Sequence, residues 1–277
     1  HTYDEDALKE MYHKGKLATF CLMKILKNSK QKGPIRFFAA KALVDLKTYD
    51  AHERLQEAAD DEDAVVSLLC RAAGSEIGLG KISVKTLTTA MKSEDPFVRS
   101  LLAQSASLEN ESLLETLLKD QEIKVRLYAA QRLLATGNPE AEQELFNGIS
   151  HPNSTIRCFC IFHYWNMKHA KNDALRDKIK KNLPLLIRCT QDENPQVRRT
   201  AIAHLANMKR EEDNAILEKH ANDPDELTRL NALMFLCQRG KNDIPFNILL
   251  NSKENIITRG VVAASIYSNL DSNPTNV

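Results

Sequence analysis

Apolar residues return along this chain at helical spacing, in short stripes separated by polar turns. After Val197 they fall four and eight residues on, at Ala201 and Leu205, and the same spacing follows Val125 with Ala129 and Leu133. An i, i+4, i+8 stripe is the buried face of a helix, because those positions stack on one side of a 3.6-residue turn. Ahead of such a stripe lies a second apolar stretch, as at Leu113, Leu114, Leu117 and Leu118 or Leu185, Leu186 and Ile187, ended by a polar turn such as Gln191-Asp192-Glu193. The pattern predicts a recurring unit of helix A, tight turn and helix B.

The turn is the clearest part of the unit. Asp95-Pro96-Phe97-Val98-Arg99 and Asn194-Pro195-Gln196-Val197-Arg198 are copies of one block, with weaker copies at Pro34-Ile35-Arg36, Val65-Val66, Val125-Arg126, Ile156-Arg157, Thr228-Arg229 and Thr258-Arg259. The arginine position (36, Val at 66, 99, 126, 157, 198, 229, 259) recurs at intervals of 30, 33, 27, 31, 41, 31 and 30 residues. The residues four after the Val position are Ala39, Leu69, Leu102, Ala129, Cys160, Ala201, Ala232 and Val262, and those eight after it are Leu43, Ala73, Ala106, Leu133, Tyr164, Leu205, Leu236 and Ile266. Asp95-Pro96, Asn194-Pro195 and Asp223-Pro224 each place a capping acceptor before a proline and so predict a helix start. The long interval, 157 to 198, puts extra material in Lys168–Lys181, read as a long loop or an added helical turn, with Pro184 starting or kinking the next A helix.

Helix A, a DPxVR-like turn and a helix B rich in Ala and Leu resemble the HEAT repeat, in the short variety similar to phycobilisome-lyase repeats, over residues 16 to 270. The resemblance implies an all-α fold, a right-handed α-α superhelix of about eight two-helix repeats, at 16–50, 51–78, 79–110, 111–137, 138–170, 171–210, 211–240 and 241–270 of a single domain spanning 1–277. It also implies that Arg36, Arg99, Arg126, Arg157, Arg198, Arg229 and Arg259 brace neighbouring repeats through a ladder of Asp or Asn. Units of this kind bury their apolar faces on each other and line a concave wall with their B helices.

Composition changes the picture little. The chain holds 277 residues, 43% hydrophobic and 27% charged, with 9 Gly and 9 Pro, which suits an ordered helical protein. Its net charge of +1 gives no global pull towards nucleic acid or anionic lipid. Locally, Lys168 to Arg210 carries eleven Lys and Arg against four Asp and Glu, while Asp50 to Asp63 carries seven acids against Arg54. Cys21, Cys70, Cys158, Cys160, Cys189 and Cys237 sit mostly in apolar runs, which points to a reducing, cytoplasmic setting. No apolar run reaches the roughly 18 to 20 residues of a membrane span, and the start at His1 is read as the edge of an excerpt from a longer protein.

Candidate chemistry is sparse. The helix with Cys158, Phe159, Cys160, Phe162, His163, Tyr164 and Trp165 holds four of the sixteen aromatics, and register puts Phe162 and Trp165 near the concave wall as interface anchors. Arg199, Lys178, Lys180 and Lys181 are the basic candidates beside them. His163 and His204 share one repeat position, too few ligands for a metal site. Cys158 and Cys160 point to different sides of a helix, which excludes a redox pair. A deoxyhypusine hydroxylase would need several His-Glu dipeptides and only His52-Glu53 is present. No bilin-selecting residue is apparent. These readings converge on a non-catalytic scaffold with no catalytic residue, cofactor or metal. Its expected partner is an acidic or extended protein, held by Phe162, Trp165, Arg199, Lys178, Lys180 and Lys181. Two alternatives are a nucleic-acid-binding protein similar to alkylpurine glycosylases and a HEAT segment appended to an enzyme, kinase or transporter.

Overall fold

A computed structural model describes residues 16–46, 49–74, 82–166, 177, 180–251 and 255–272. Among them every regular element is a helix, and the helices alternate as A and B. By contacts the chain forms two compact units, His1–Leu134 with Asn138–Ala141 and Ala135–Gly137 with Glu142–Val277. The first holds α1 (Lys16–Lys27), α2 (Gly33–Asp45), α3 (Tyr49–Ala59), α4 (Ala64–Ala73), α5 (Val84–Met91), α6 (Pro96–Ser105), α7 (Glu111–Leu117) and α8 (Ile123–Leu133). After α9 (Pro139–Gly148), the second continues with α10 (Ser154–Tyr164), α11 (Leu183–Cys189), α12 (Pro195–Asn207), α13 (Asn214–His220), α14 (Glu226–Gln238), α15 (Asp243–Leu250) and α16 (Ile256–Ser272).

Odd-numbered helices are the A members and even-numbered helices the B members. Each B helix packs on the next B helix of its own unit, as α4 on α6 and α12 on α14, and B helices also pack on their own A helices, as α2 on α1 and α14 on α13. The apolar stripe explains this layering, because all sixteen residues four and eight after the Val position are buried, from Ala39 to Ile266. No described helix is long and apolar enough to cross a membrane.

Helix starts follow the turn chemistry. Asp95 accepts from Phe97 N at 2.9 Å, Asn153 from Thr155 N at 2.8 Å and Asn194 from Gln196 N at 2.9 Å, so each satisfies an amide that the first helical turn leaves open. Pro184 lies in the first turn of α11 and starts that helix. One expected start is corrected. Asp223-Pro224 does not open α14; Asp225 caps it, accepting from Thr228 N at 2.8 Å. Asp223 stands two residues earlier and accepts from Asp225 N at 2.9 Å, just as Asp192 accepts from Asn194 N. The proline therefore sits inside the turn rather than inside the helix.

That earlier carboxylate is the rung of the ladder. Arg99 donates from Nε and Nη2 to Asp120 at 2.7 and 3.1 Å, Arg157 to Asp192 at 2.9 and 2.7 Å, and Arg198 to Asp223 at 3.0 and 2.6 Å. In the same side chains Nη1 turns back to two carbonyls of the preceding turn, for Arg157 those of His151 at 2.9 Å and Pro152 at 2.8 Å. Arg126 and Arg229 make this second contact, to Asp120 O and Asp223 O, both at 2.9 Å. Arg36 reaches Leu26 O at 2.8 Å and Asp63 at 3.5 Å, and Arg259 reaches Leu249 O at 2.9 Å. One guanidinium thus ties its own A–B turn to the next repeat with forked, charge-assisted bonds.

Where Val66 replaces the arginine, another residue makes the contact to the repeat's own turn. Arg71, buried one turn further along α4, donates to Ala59 O at 3.0 Å and to Asp60 at 2.8 Å. Sequence reading by fixed position passes over it. Its signal is an arginine in an otherwise apolar B helix whose ladder position is empty.

Candidate functional site

The aromatic cluster of α10 is built by a capped helix and its neighbour. Asn153 starts α10, and Ile156, Cys160 and Tyr164 turn inward, so Phe159, Phe162 and His163 face away from the core. Phe162 remains 49% exposed. Its ring meets the His163 ring edge-on at 5.0 Å and the His204 ring of α12 at 5.7 Å, while Phe159 lies 4.3 Å from His163. Burial pushes His204 down to about 4, so its imidazole is neutral at physiological pH and packs as an aromatic. The two histidines of one repeat position flank a phenylalanine, and the described residues contain no group of three or more His, Cys, Asp or Glu able to hold a metal.

Trp165 corrects the sequence reading. It is 2% exposed, packed edge-on against Tyr164 at 4.9 Å, and presents nothing to a partner. The cause is local: α10 ends at Tyr164 and Trp165 is its C-cap residue, at φ −93° and ψ 2°, so the register of an unbroken helix no longer applies. Its Nε1 has no hydrogen-bond partner among the described residues.

The basic candidates do not gather around Phe162. Arg199 is committed to Asp225 at 2.6 Å, another tie between successive B helices. Lys180 and Lys181 are exposed but precede α11, an A helix, while Phe162 belongs to the B layer. Lys178 and most of the Lys168–Lys181 insertion lie outside the described residues.

What surrounds Phe162 is the opposite of basic. Counted from the repeat arginine, the positions two before and two, five and nine after it are never buried in unit two and hold no charge. They are Thr155, Phe159, Phe162 and Asn166, then Gln196, Thr200, Ala203 and Asn207, then Leu227, Asn231, Met234 and Gln238, and last Ile257, Val261, Ala264 and Ser268. In unit one the same register includes Lys41, Asp45, Arg71 and Lys124. A helical protein with 27% charged residues normally places charge on such a face. Comparing equivalent positions across repeats would have exposed this from sequence; summing charge along the chain conceals it.

Three thiols of this unit are held unreactive by burial. Burial pushes the Cys160 thiol up to about 12 and the Cys189 and Cys237 thiols up to about 11, so all three stay protonated and inert. His220 Nδ1 lies 3.0 Å from Asp223 Oδ2, but both side chains are buried and the carboxylate is already held by Arg198. This pair belongs to the ladder.

Stacked A–B helix pairs, with an arginine at the turn in seven of eight copies, define a repeat fold. The family model described as HEAT repeats matches residues 173–246, and the same helix pair and arginine recur in described residues outside it. No curated protein matches the sequence. Among solved structures, the YibA protein of Escherichia coli is similar at 16% identity and a TM-score of 0.48, covering 97% of this chain and 98% of that one. The complex of CpcE and CpcF of phycocyanin lyase from Nostoc sp. PCC7120 is similar at 18% identity and a TM-score of 0.45, covering 91% and 94%. Importin beta is similar at 14% identity and a TM-score of 0.44, covering 97% of this chain but 43% of its own. Nothing about this chain's activity follows from likenesses of that size.

Proposed function

We propose that this protein is a non-catalytic scaffold that binds another protein through the B-helix face of its second unit, with Phe162 as an anchor. The observation that carries this reading is a half-exposed phenylalanine seated on two imidazole rings within a face that holds no charge. Such rings, desolvated at the centre of an interface and ringed by weaker contacts, contribute about 2 kcal/mol or more to binding. The buried thiols and ladder carboxylates support structure rather than turnover. All six cysteines are free, which suits a reducing compartment such as the cytoplasm. An acidic partner gains no support from this face, because the described lysines of that stretch, Lys180 and Lys181, stand at the start of an A helix.

Site-specific photocrosslinking tests the reading. A benzophenone amino acid at position 162 is expected to capture a discrete protein in cells, and one at the exposed Lys219 of α13 is expected to capture much less. Equal capture at both positions, or capture of nucleic acid at 162, would sink it.

A further inference from the structure

We propose that the groove between α14 and α16 seats a bulky, uncharged side chain, aromatic by preference, presented by an extended segment of a partner protein; this deepens the scaffold reading and rests on it. The groove is about 550 Å3, open to solvent on one side, and lined by Met234 and Gln238 of α14 with Gly260, Val261, Ala264 and Ser268 of α16. Its chemistry is settled by a sister groove in the same unit. Between α10 and α12, the residue five after the repeat arginine is Phe162 and the residue six after it on the next helix is His204, and their rings meet. Between α14 and α16 the same two positions are Met234 and Ser265, and the wall opposite is Gly260 and Ala264. Two rings meet in one groove, and the same two positions carry none in the other.

Further features fix the kind of occupant. A Cβ built on Gly260 meets nothing within 4 Å, so the glycine marks free volume rather than a close helix crossing. Neither Lys, Arg, Asp nor Glu lines the groove, and Leu227 and Ile257, 55% and 66% exposed, continue its face towards the start of the two helices. A charged side chain placed there would lose hydration and find no counter-ion. A trough with one open side covers only part of its occupant, whereas a small-molecule pocket buries most of its ligand. A side chain carried by a peptide lying along the B face is covered on the remaining side by its own backbone.

The test uses random dodecapeptides displayed on phage, selected against the whole chain, and two variants that fill or charge the groove. Gly260→Leu with Ala264→Phe fills the groove, and Ala264→Arg brings a charge to an exposed position; circular dichroism confirms folding. The selected peptides are expected to share an uncharged centre with Trp, Phe, Tyr or Leu and to lose about tenfold or more in affinity against both variants. Lys219→Ala, on the A helix α13, is expected to leave them within about twofold. Peptides that ignore both groove variants but are lost in Phe162→Ala would leave the scaffold reading standing and end this one. A charged consensus would also end it, as would N-acetyltryptophanamide alone shifting the Met234 methyl resonance as fully as the peptides do. Failure to select any peptide at all would end this one and leave the scaffold reading to the crosslinking at position 162.

Discussion

His204 shows how one residue's environment sets its behaviour. An unperturbed histidine titrates near 6.5, and burial beside Phe162 brings this one to about 4. Between those values the unfolded chain binds the proton and the folded chain does not. The folded-state pKa is depressed, so the stability that His204 contributes is present above about 6.5 and is lost as pH falls through about 4. His204→Gln removes this dependence. The urea midpoint of the native protein is expected to fall more between pH 7 and pH 4.5 than that of the variant, with the extra fall confined to this interval. Parallel profiles would show that the imidazole is not held neutral by packing. Carboxylates on the ladder move the other way in cause but add to acid lability: the Arg99 side chain holds Asp120 below the usual range, so its contribution vanishes at still lower pH.

Two residues mark where the sequence misleads at the scale of an element. Trp165 is placed on the open face only if α10 continues past Tyr164, and nothing short of the packing of the turn reveals that it stops there. Asp223-Pro224 looks like a helix start because Asp-Pro often is one, but here the rung and the cap are separate carboxylates two residues apart. The buried stripe, the Asp95 and Asn194 caps and the repeat unit were all legible, because each rests on local chemistry repeated many times. Partnering between turns was not, since it depends on which carboxylate lies across the stack. The ladder gives a direct prediction. Arg198 and Asp223 are almost wholly buried, and Arg198→Ala would leave a carboxylate in the interior with only the Asp225 amide and His220. Breaking such a pair is expected to cost about 3 to 5 kcal/mol in urea unfolding. Removing the exposed Lys119–Glu140 pair, at 3.9 Å, is expected to cost nothing measurable. Equal effects would mean that burial does not govern the rung.

At the scale of the whole molecule, the contacts are short-ranged in sequence: α12 packs on α10, α11 and α14, and α6 packs on α4, α5 and α8. Among the described residues the helix contacts run between neighbouring repeats, so stability approximates a sum of repeat terms and nearest-neighbour interfaces. A cavity cut into one repeat should then weaken that repeat and its immediate neighbours while sparing others. Leu205 of α12 and Leu102 of α6 are both fully buried at equivalent faces of their helices. Each change to Ala is expected to cost about 2 to 5 kcal/mol. In native-state hydrogen exchange, Leu205→Ala should lower amide protection in α11 to α14 and leave α2 and α4 as they were, while Leu102→Ala should do the reverse. Such independence would let the B face of the second unit adjust to a partner without disturbing the first. Uniform loss of protection from either substitution would instead require a single cooperative unit, and a partner bound at Phe162 would then stabilise every helix alike.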